Sequence, residues 1–193
     1  MEDVRLVRWT PAQTRARLDE VIRVYKAAFL DVHEADPDRA ARDRMAHARR
    51  HTERSDMITI AAMIGADQLI GFIYALPGRR GQWWHDVVTS AVSRDVAADW
   101  LADCLEIVEL HLMPAYQGRG IGRMLLRELL GDAPQRTAAL SALEPDGSRA
   151  RRLYESEGFQ PLLSNFPFPG SSTRYAVLAK RLDADRLAGA RRL

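Results

Sequence analysis

The first fifty residues switch from a strand-like to a helix-like hydrophobic pattern. Residues 4–9 alternate between apolar and polar side chains, which predicts a first strand at a sheet edge. Thr10-Pro11 predicts the start of a helix, because proline is tolerated in a first helical turn. The apolar residues after it recur at helical spacing over about five turns: Leu18, Val21, Ile22, Tyr25 and Phe29. A second and far more polar helix is predicted over 36–51.

Two apolar stretches follow, separated by a short polar turn. Residues 57–64 and 69–76 are both rich in hydrophobic side chains, and Gly65-Ala-Asp-Gln68 between them is typical of a hairpin turn. Pro77-Gly78 ends the second stretch. About 25 residues then precede the next strand, which is too long for a simple connection in a compact domain. We therefore interpret 77–102 as an insert that holds a loop and a helix.

The chain is organised around a third apolar stretch, which passes into a glycine-rich turn. Ile107, Val108, Leu110 and Leu112 indicate a buried strand. Pro114 ends it, because proline has no N–H to donate to a strand ladder. The run Gln117-Gly-Arg-Gly-Ile-Gly122 then opens a helix that 131–134 closes. The apolar residues of that helix include Ile121, Met124, Leu125 and Leu129.

A strand, a glycine turn and a helix in this order predict a phosphate-binding corner. The first N–H groups of a helix lack internal partners, and the helix dipole there favours negative charge. Glycines at 118, 120 and 122 remove the Cβ atoms that would obstruct a diphosphate. Arg119 and Arg123 add positive charge at the same end, and a guanidinium suits phosphate oxygens.

Two better-known glycine motifs do not fit this turn. A Walker motif needs Lys and then Ser or Thr after its last glycine, whereas Gly122 precedes Arg123 and Met124. The dinucleotide fingerprint needs glycine at 123 or 125, which hold Arg and Leu. The remaining pattern is Q-x-x-G-x-G, formed by Gln117, Gly120 and Gly122.

The C-terminal third predicts further strands and one helix. Residues 137–143 are typical of a buried strand, and a loop is predicted at 144–147. Ser148 is a predicted N-cap for a helix that carries Tyr154 and ends near Gly158. The remaining predictions are strands at 159–163 and 173–182, a stiff linker at 165–170, and a short helix or frayed tail at 183–193.

Two motifs in a fixed order resemble those of a known family. The run from Glu106 to Arg127 resembles motif A of the GCN5-related N-acetyltransferases, which bind acetyl-coenzyme A (acetyl-CoA) through this turn. About thirty residues on, Ala150-Arg-Arg-Leu-Tyr-Glu-Ser-Glu-Gly-Phe159 resembles the family element A-x-x-L-Y-x-x-x-G-F. The resemblance extends from about 58 to 159. It departs from the family pattern at Gly147, where the family usually has Asn.

The resemblance implies a fold and a domain organisation. The fold is of the α+β class, with a mixed, mostly antiparallel central sheet of about six or seven strands flanked by helices. One acetyltransferase domain is expected over 1–193. Its expected parts are an N-terminal strand and two helices (1–56), the core (57–182), an acceptor-side insert within the core (77–102) and a tail (183–193).

Composition excludes some function classes. A chain of 193 residues with 47% hydrophobic and 28% charged side chains is typical of a soluble globular protein. A net charge of +2 does not favour nucleic acid as a partner. The absence of a long apolar run or a secretion signal predicts no membrane contact and a cytoplasmic location. We attribute the excess of Arg over Lys to a GC-rich, bacterial genome.

Neither the single cysteine nor the histidines predict a metal or thiol centre. Cys104 excludes an internal disulfide and is predicted to be a small buried thiol. His47 and His51 lie four residues apart on a helix but lack a third ligand in the sequence. We therefore interpret them as part of a solvated helix face and predict no metal site.

Acetyl transfer to an amine requires a base. An alkylammonium has a reference pKa near 10.4, so removing its proton to give a free amine at pH 7 costs roughly 4–5 kcal/mol. Glu106 lies eleven residues before Gln117, the offset of the base in histone-acetylating family members. Glu109 lies among apolar neighbours, which predicts a raised pKa, and alternation places it beside His111. Either glutamate could instead make structural hydrogen bonds; both rank ahead of His111.

The resemblance also implies an acid and a set of cofactor contacts. Tyr154 matches the family tyrosine that protonates the coenzyme A thiolate, and the alternative is a core tyrosine on an amphipathic helix. Backbone groups at Leu112 and Met113 would hold the pantetheine arm and polarise the thioester carbonyl. The implied cofactor residues are Leu112, Met113, Gln117, Gly118, Arg119, Gly120, Ile121, Gly122, Arg123 and Tyr154.

Trp83 and Trp84 are the candidate acceptor-binding residues. Two adjacent tryptophans in a loop are costly to expose, so they line a binding site, pack locally or form an oligomer contact. The predicted function is acetyl-CoA-dependent N-acetylation of a small-molecule or protein amine by direct attack, with a strand glutamate as base and Tyr154 as acid. The resembled family often forms homodimers, and the acceptor is not identified by the fold.

Two alternatives belong to other classes. One is a coenzyme A-binding sensor or assembly module without turnover. The other is a toxin-like acylator of aminoacyl-tRNA, which is favoured only if three arginines join those of the second helix in one basic face. These three are Arg149, Arg151 and Arg152.

Overall fold

The computed structural model describes residues 3–30, 36–144 and 149–182. Its strands are β1 (Arg5–Trp9), β2 (Ile58–Ile64), β3 (Gln68–Pro77), β4 (Cys104–Leu112), β5 (Thr137–Leu143), β6 (Gln160–Pro167) and β7 (Arg174–Arg181). Its α-helices are α1 (Pro11–Ala16), α2 (Leu18–Tyr25), α3 (Pro37–His51), α4 (Trp83–Ala91), α5 (Arg94–Trp100), α6 (Ile121–Gly131) and α7 (Arg149–Ser156). A π-helical turn (Lys26–Leu30) follows α2, and a 3-10 turn (Pro114–Tyr116) follows β4.

Within the described residues, seven strands form one sheet in the order β1-β2-β3-β4-β5-β7-β6. The pairs β1–β2, β2–β3, β5–β7 and β6–β7 are antiparallel, whereas β4 and β5 are parallel. The parallel ladder joins the first three residues of each strand, Cys104–Glu106 and 137–139. The predicted α+β class, with a mostly antiparallel sheet flanked by helices, is confirmed.

The chain forms two compact units. The first contains 1–76 and 109–132, and the second contains 77–108 and 133–193. In the first unit, the β2–β3 hairpin is almost fully buried and α6 packs against β2. The core of the second unit contains Val88, Leu101, Cys104, Ala139, Phe168, Val177 and Ala179. The predicted single domain and its internal divisions stay a prediction.

The first predicted helix is broken into two. Thr10 begins α1 with a capping box, as its side chain accepts from the Gln13 N–H and Gln13 bonds back to the Thr10 N–H. Arg17 then leaves the helical conformation, at φ −114° and ψ 22°. Its guanidinium donates to Glu20 at 2.8 Å and to Asp67 at 2.7 Å, so polar contacts fix the break. The apolar spacing carries no sign of it.

The insert and the last hairpin also differ from expectation. The insert holds two helices, α4 and α5, and Trp83 begins α4 instead of lying in a loop. The predicted linker at 165–170 is partly strand, because β6 continues to Pro167. Asn165 adopts φ 53°, a left-handed conformation that Asn tolerates, and the β6–β7 register shifts between Leu163 and Phe166. The predictions for Gly147, Ser148 and 183–193 lie outside the described residues.

Candidate active site

One hydrogen bond ties the glycine turn to the end of β4, and a second ties the residue after β4 to β3, both within the first unit. The Gln117 side-chain amide donates to the carbonyl of Leu112 at 3.1 Å. The Met113 N–H donates to the carbonyl of Ile70 at 2.8 Å. This bond commits the Met113 amide to β3, so that N–H is not available to polarise the thioester carbonyl. The role of Gln117 is therefore partly structural.

Two glycines of the turn adopt backbone conformations that favour glycine. Gly118 has φ 75° and Gly120 has φ 82°, both in the left-handed region. A Cβ built on either residue would meet no atom within 4 Å, so open space lies where a side chain would project. Gly120 is the N-cap of α6 and offers no side chain to the free N–H groups of the first turn. This cradle fits the diphosphate of a nucleotide.

The charge around the turn also suits an anion. The first turn of α6 contains no acidic residue, whereas Arg123 lies within it. The Arg119 guanidinium lies 5.3 Å from the centre of the Tyr116 ring, which positions it beside the turn. Burial of Ile121, Leu125, Leu126 and Leu129 fixes the helix. Met124, another apolar residue of this helix, is 44% exposed.

Glu109 and His111 form a pair on one face of β4, as alternation predicts. His111 Nε2 lies 2.7 Å from Glu109 Oε2. Arg44 Nη1, from α3, lies 3.0 Å from the other oxygen, Glu109 Oε1, in an ion pair without hydrogen-bond geometry. The Glu109 side chain is 8% exposed, that of His111 14% and that of Arg44 38%. Helix α3 therefore supplies a cation to a buried carboxylate.

The predicted direction of the Glu109 pKa is wrong. Burial by itself would raise this pKa, and burial is the largest single influence on it. Arg44 and the hydrogen bond from His111 act in the opposite direction and together lower the pKa of Glu109 below its ordinary value. The carboxylate is therefore held as an anion, which makes it a weak proton acceptor.

Replacing Arg44 should make the stability of the protein more sensitive to pH. Arg44→Met leaves Glu109 buried without its cation, and we expect a loss of about 2–3 kcal/mol at pH 7, less than for a fully buried pair because Arg44 is partly exposed. Without Arg44, burial should raise the pKa of Glu109 above the unfolded value of about 4.3, so the variant is destabilised by a buried carboxylate at pH 7 and relieved by its protonation as the pH falls. The deficit should therefore shrink between pH 7 and pH 4.5 in urea unfolding.

Arg42→Met provides the matched control for this experiment. Arg42 lies on the same helix and is exposed, so its loss should change the unfolding free energy by no more than about 0.5 kcal/mol at either pH. A deficit for Arg44→Met that stays constant from pH 7 to pH 4.5 would contradict the ion-pair interpretation.

Aromatic and basic side chains surround this pair. The His111 ring packs edge-on against Tyr25, with ring centres 4.7 Å apart, and also contacts Phe29 and Phe72. His51 lies 3.2 Å from the Tyr74 hydroxyl, and burial lowers the pKa of His51 to about 4. The predicted solvated face thus applies to the exposed His47 and is wrong for His51.

Tyr154 lies in the second unit, near the end of α7. It is 7% exposed and packs edge-on against Phe159, with ring centres 5.7 Å apart. The Phe159 N–H donates back to the carbonyl of Tyr154 at 3.0 Å, and Gly158 follows the helix as predicted. The ring contact with Phe159 positions the Tyr154 side chain, and the backbone bond closes the end of α7.

Glu106 also belongs to the second unit, in the ladder between β4 and β5. It pairs with Ala139 and is 9% exposed. Cys104, two residues earlier, is buried, and burial raises the pKa of its thiol to about 12. A thiol of this kind is inert at neutral pH, which confirms its interpretation as a core residue.

The two tryptophans of the insert have different environments. The Trp84 indole N–H donates to the Ser141 hydroxyl of β5 at 2.7 Å, and the ring packs against the core of the second unit. Trp83 is 59% exposed and contacts Phe168, with ring centres 5.4 Å apart. Local packing thus accounts for Trp84, while Trp83 presents an aromatic surface to solvent.

Two side chains of the site, Arg44 and Ser141, could not be picked out from the sequence. Helix α3 contains several arginines and serine occurs at several positions of the chain, so neither residue carried a distinguishing signal.

Arg151, a candidate for a basic face, pairs instead with Glu155 at 2.8 Å and Glu144 at 3.4 Å. No group of three or more potential metal ligands occurs in the part of the chain that the structure describes.

The comparison with known proteins identifies the family. Residues 18–159 match the acetyltransferase (GNAT) family. The chain is 32% identical to a GCN5-like protein acetyltransferase of Mycobacterium tuberculosis over 144 aligned residues. The alignment covers 70% of each protein. The chain therefore belongs to the GNAT family of acetyltransferases. The predicted family and the predicted acyltransferase class are confirmed.

Solved structures agree with this fold. The PaiA N-acetyltransferase of Thermoplasma acidophilum, in complex with coenzyme A, has a TM-score of 0.62 at 15% identity and covers 93% of this chain and 99% of its own. The acetyltransferase YncA of Salmonella typhimurium, with acetyl-CoA, has a TM-score of 0.61 at 17% identity and covers 95% of each chain. At these identities the similarity concerns the fold alone.

No helix in the described part of the chain combines the length and the apolar character that crossing a membrane would require.

Proposed function

We propose that this protein transfers the acetyl group of acetyl-CoA to a primary amine by direct attack of the amine. Membership of the GNAT family supports the class of reaction. Neighbours of the same fold were solved with coenzyme A or acetyl-CoA bound, which supports the cofactor. The single observation that carries the proposal is the side-chain-free cradle at Gly118 and Gly120, at the start of α6.

The residues of the turn would hold the cofactor. The free N–H groups at the start of α6 would bind the diphosphate, with Arg119 and Arg123 supplying charge. The strand end at Leu112 would hold the pantetheine arm through backbone groups. When bound, acetyl-CoA supplies an activated acyl thioester. The chain itself must then orient the amine, remove its proton and protonate the departing sulfur.

Tyr154 Oη is the proposed proton donor to that sulfur. A phenol donates an O–H hydrogen bond and stays protonated at neutral pH in its ordinary state. On the acceptor side, a titratable group of β4 removes the ammonium proton. Of the two predicted glutamates, Glu109 is the weaker candidate because Arg44 holds it as an anion. Glu106 and His111 remain.

We propose that the acceptor is a protein amino group. The relative from Mycobacterium tuberculosis is a protein acetyltransferase, which favours lysine side chains or an N-terminal amine over free metabolites. The exposed Trp83 suits contact with such an acceptor. A bacterial cytoplasmic location and assembly as a homodimer belong to the same proposal.

The direct test is an assay of thiol release from acetyl-CoA with a panel of amines. Proteins, short peptides with a free N-terminus or a lysine, polyamines and amino acids should be compared at equal amine concentration. We expect turnover with peptide or protein amines. Tight binding of acetyl-CoA without turnover on any amine would support the sensor interpretation instead. The absence of acetyl-CoA binding at millimolar concentration would contradict the proposal as a whole.

A further inference from the structure

The imidazole of His111 is held by a carboxylate that is itself held by a cation. Glu109 lies between His111 Nε2 at 2.7 Å and Arg44 Nη1 at 3.0 Å, and all three residues belong to the first unit. Such a chain of contacts constrains the orientation of the ring. It also requires two elements to meet, because the pair lies on β4 and the arginine on α3.

The charge of Glu109 decides which ring nitrogen of His111 carries the proton. A carboxylate anion only accepts hydrogen bonds, so the contact at Nε2 requires an N–H there. In the neutral imidazole, Nδ1 then carries the lone pair. Nδ1 accepts no hydrogen bond from any described residue, and the His111 side chain keeps 14% of its surface exposed. The ring therefore offers one basic nitrogen in a fixed tautomer.

We propose that His111 Nδ1 is the base that takes the proton from the acceptor ammonium, with Glu109 and Arg44 as positioning residues. The inference rests on the proposed function. One N–H bond of the ammonium breaks and one N–H bond forms at Nδ1, giving a free amine and an imidazolium. The adjacent Glu109 carboxylate stabilises that imidazolium, and the proton then passes to solvent.

Basicity favours the imidazole over its neighbouring carboxylate. A general base works best when its pKa lies near the operating pH, and imidazoles have a reference value near 6.5 against about 4.3 for glutamate. Arg44 and His111 lower the pKa of Glu109 and so move it further from neutral pH. The arrangement thus uses the carboxylate for orientation and charge, as in other carboxylate–imidazole pairs.

The other titratable groups around His111 do not compete for the proton at neutral pH. Tyr25 faces the His111 ring from α2, Arg44 and His51 on α3 act on its partner Glu109, and Tyr74 of β3 contacts His51. Burial lowers the pKa of His51 to about 4, so His51 is neutral under assay conditions. An acid limb in the activity profile near neutrality would therefore come from a group other than His51.

His111→Gln is the informative substitution. The glutamine amide can replace Nε2–H as donor to Glu109 and so preserve the packing, but it has no basic nitrogen. We expect kcat/KM for peptide acetylation to fall by about 10²-fold or more, with loss of the acid limb of the pH profile and unchanged acetyl-CoA affinity. His47→Gln, an exposed histidine on α3, is the matched control and should behave as the wild type.

Glu109→Gln tests the positioning role. It removes the anion that stabilises the imidazolium, while the glutamine oxygen can still accept a hydrogen bond from Nε2–H. We expect kcat to fall and the acid limb of the pH profile to change, whereas a purely structural role would leave the pH profile as it is. If Glu106→Gln abolishes the acid limb and His111→Gln does not, Glu106 is the base and the inference is wrong.

The tautomer can be tested without turnover. In ¹⁵N-histidine-labelled protein, the His111 signals are assigned by their loss in His111→Gln. An Nε2–H tautomer supports the inference, and an Nδ1–H tautomer overturns it. Failure of the wild type to acetylate any amine would overturn the proposed function, while the tautomer would still decide whether Nδ1 can accept a proton.

Discussion

Tyr154→Phe is expected to lower kcat for acetyl transfer by about 10²-fold or more, because general acid catalysis contributes roughly 10²–10⁴-fold. The substitution removes only the hydroxyl. Its ring is 7% exposed and packs against Phe159, and phenylalanine preserves that contact. Acetyl-CoA affinity should therefore change little. Single-turnover kinetics with saturating acetyl-CoA would measure the chemical step directly.

Two further measurements make the interpretation of Tyr154→Phe decisive. The loss should be smaller for an acyl donor with a more acidic leaving thiol, because a better leaving group needs less protonation. Tyr175→Phe, a partly buried tyrosine on β7, is a control for the loss of a hydroxyl elsewhere in the second unit. Wild-type kcat for Tyr154→Phe across the pH range would show that Tyr154 is a core residue and not the acid.

Gly120→Ala is expected to weaken acetyl-CoA binding by about 10- to 100-fold. The new Cβ would project into the open space at the start of α6, where the diphosphate is proposed to bind. Loss of one charge-assisted hydrogen bond costs about 1.5–3 kcal/mol, and 1.4 kcal/mol corresponds to a factor of ten in Kd. Titration calorimetry with acetyl-CoA and with coenzyme A would measure the change.

Backbone strain must be separated from obstruction of the ligand in this experiment. Gly120 has φ 82°, so alanine there also costs roughly 1–2 kcal/mol of folding free energy. Gly65 has φ 56° in the β2–β3 hairpin, and a Cβ on it likewise meets nothing within 4 Å. Gly65→Ala should therefore share the strain but retain the affinity. Equal affinity for both variants and the wild type would rule out the proposed diphosphate site.

Local patterns were sufficient to predict most elements of the fold. The alternation at 4–9, the hairpin signal at 65–68 and the apolar run at 137–143 all correspond to observed strands or turns. These signals succeed because each depends on short-range preferences for burial, capping or turn geometry. The break at Arg17 was missed because its cause is contact with Asp67, fifty positions away in the sequence.

The same division applies to the candidate site. The glycines of the turn were predicted from the sequence because a helix start without side chains has a local pattern. The direction of the Glu109 pKa was not predicted correctly, because its hydrophobic neighbours in the sequence indicated a raised pKa. The actual pKa is lowered by a cation from α3, a separate element that no local pattern connects to β4.

The amino-acid sequence by itself determined the family, the glycine-rich turn and the order of the strands, because these depend on residue types at fixed short spacings. Only the tertiary structure decided that Arg44 pairs with Glu109 and lowers its pKa, and that Trp84 is held by Ser141. These properties depend on distances between groups far apart in the chain, and burial makes each such contact strong.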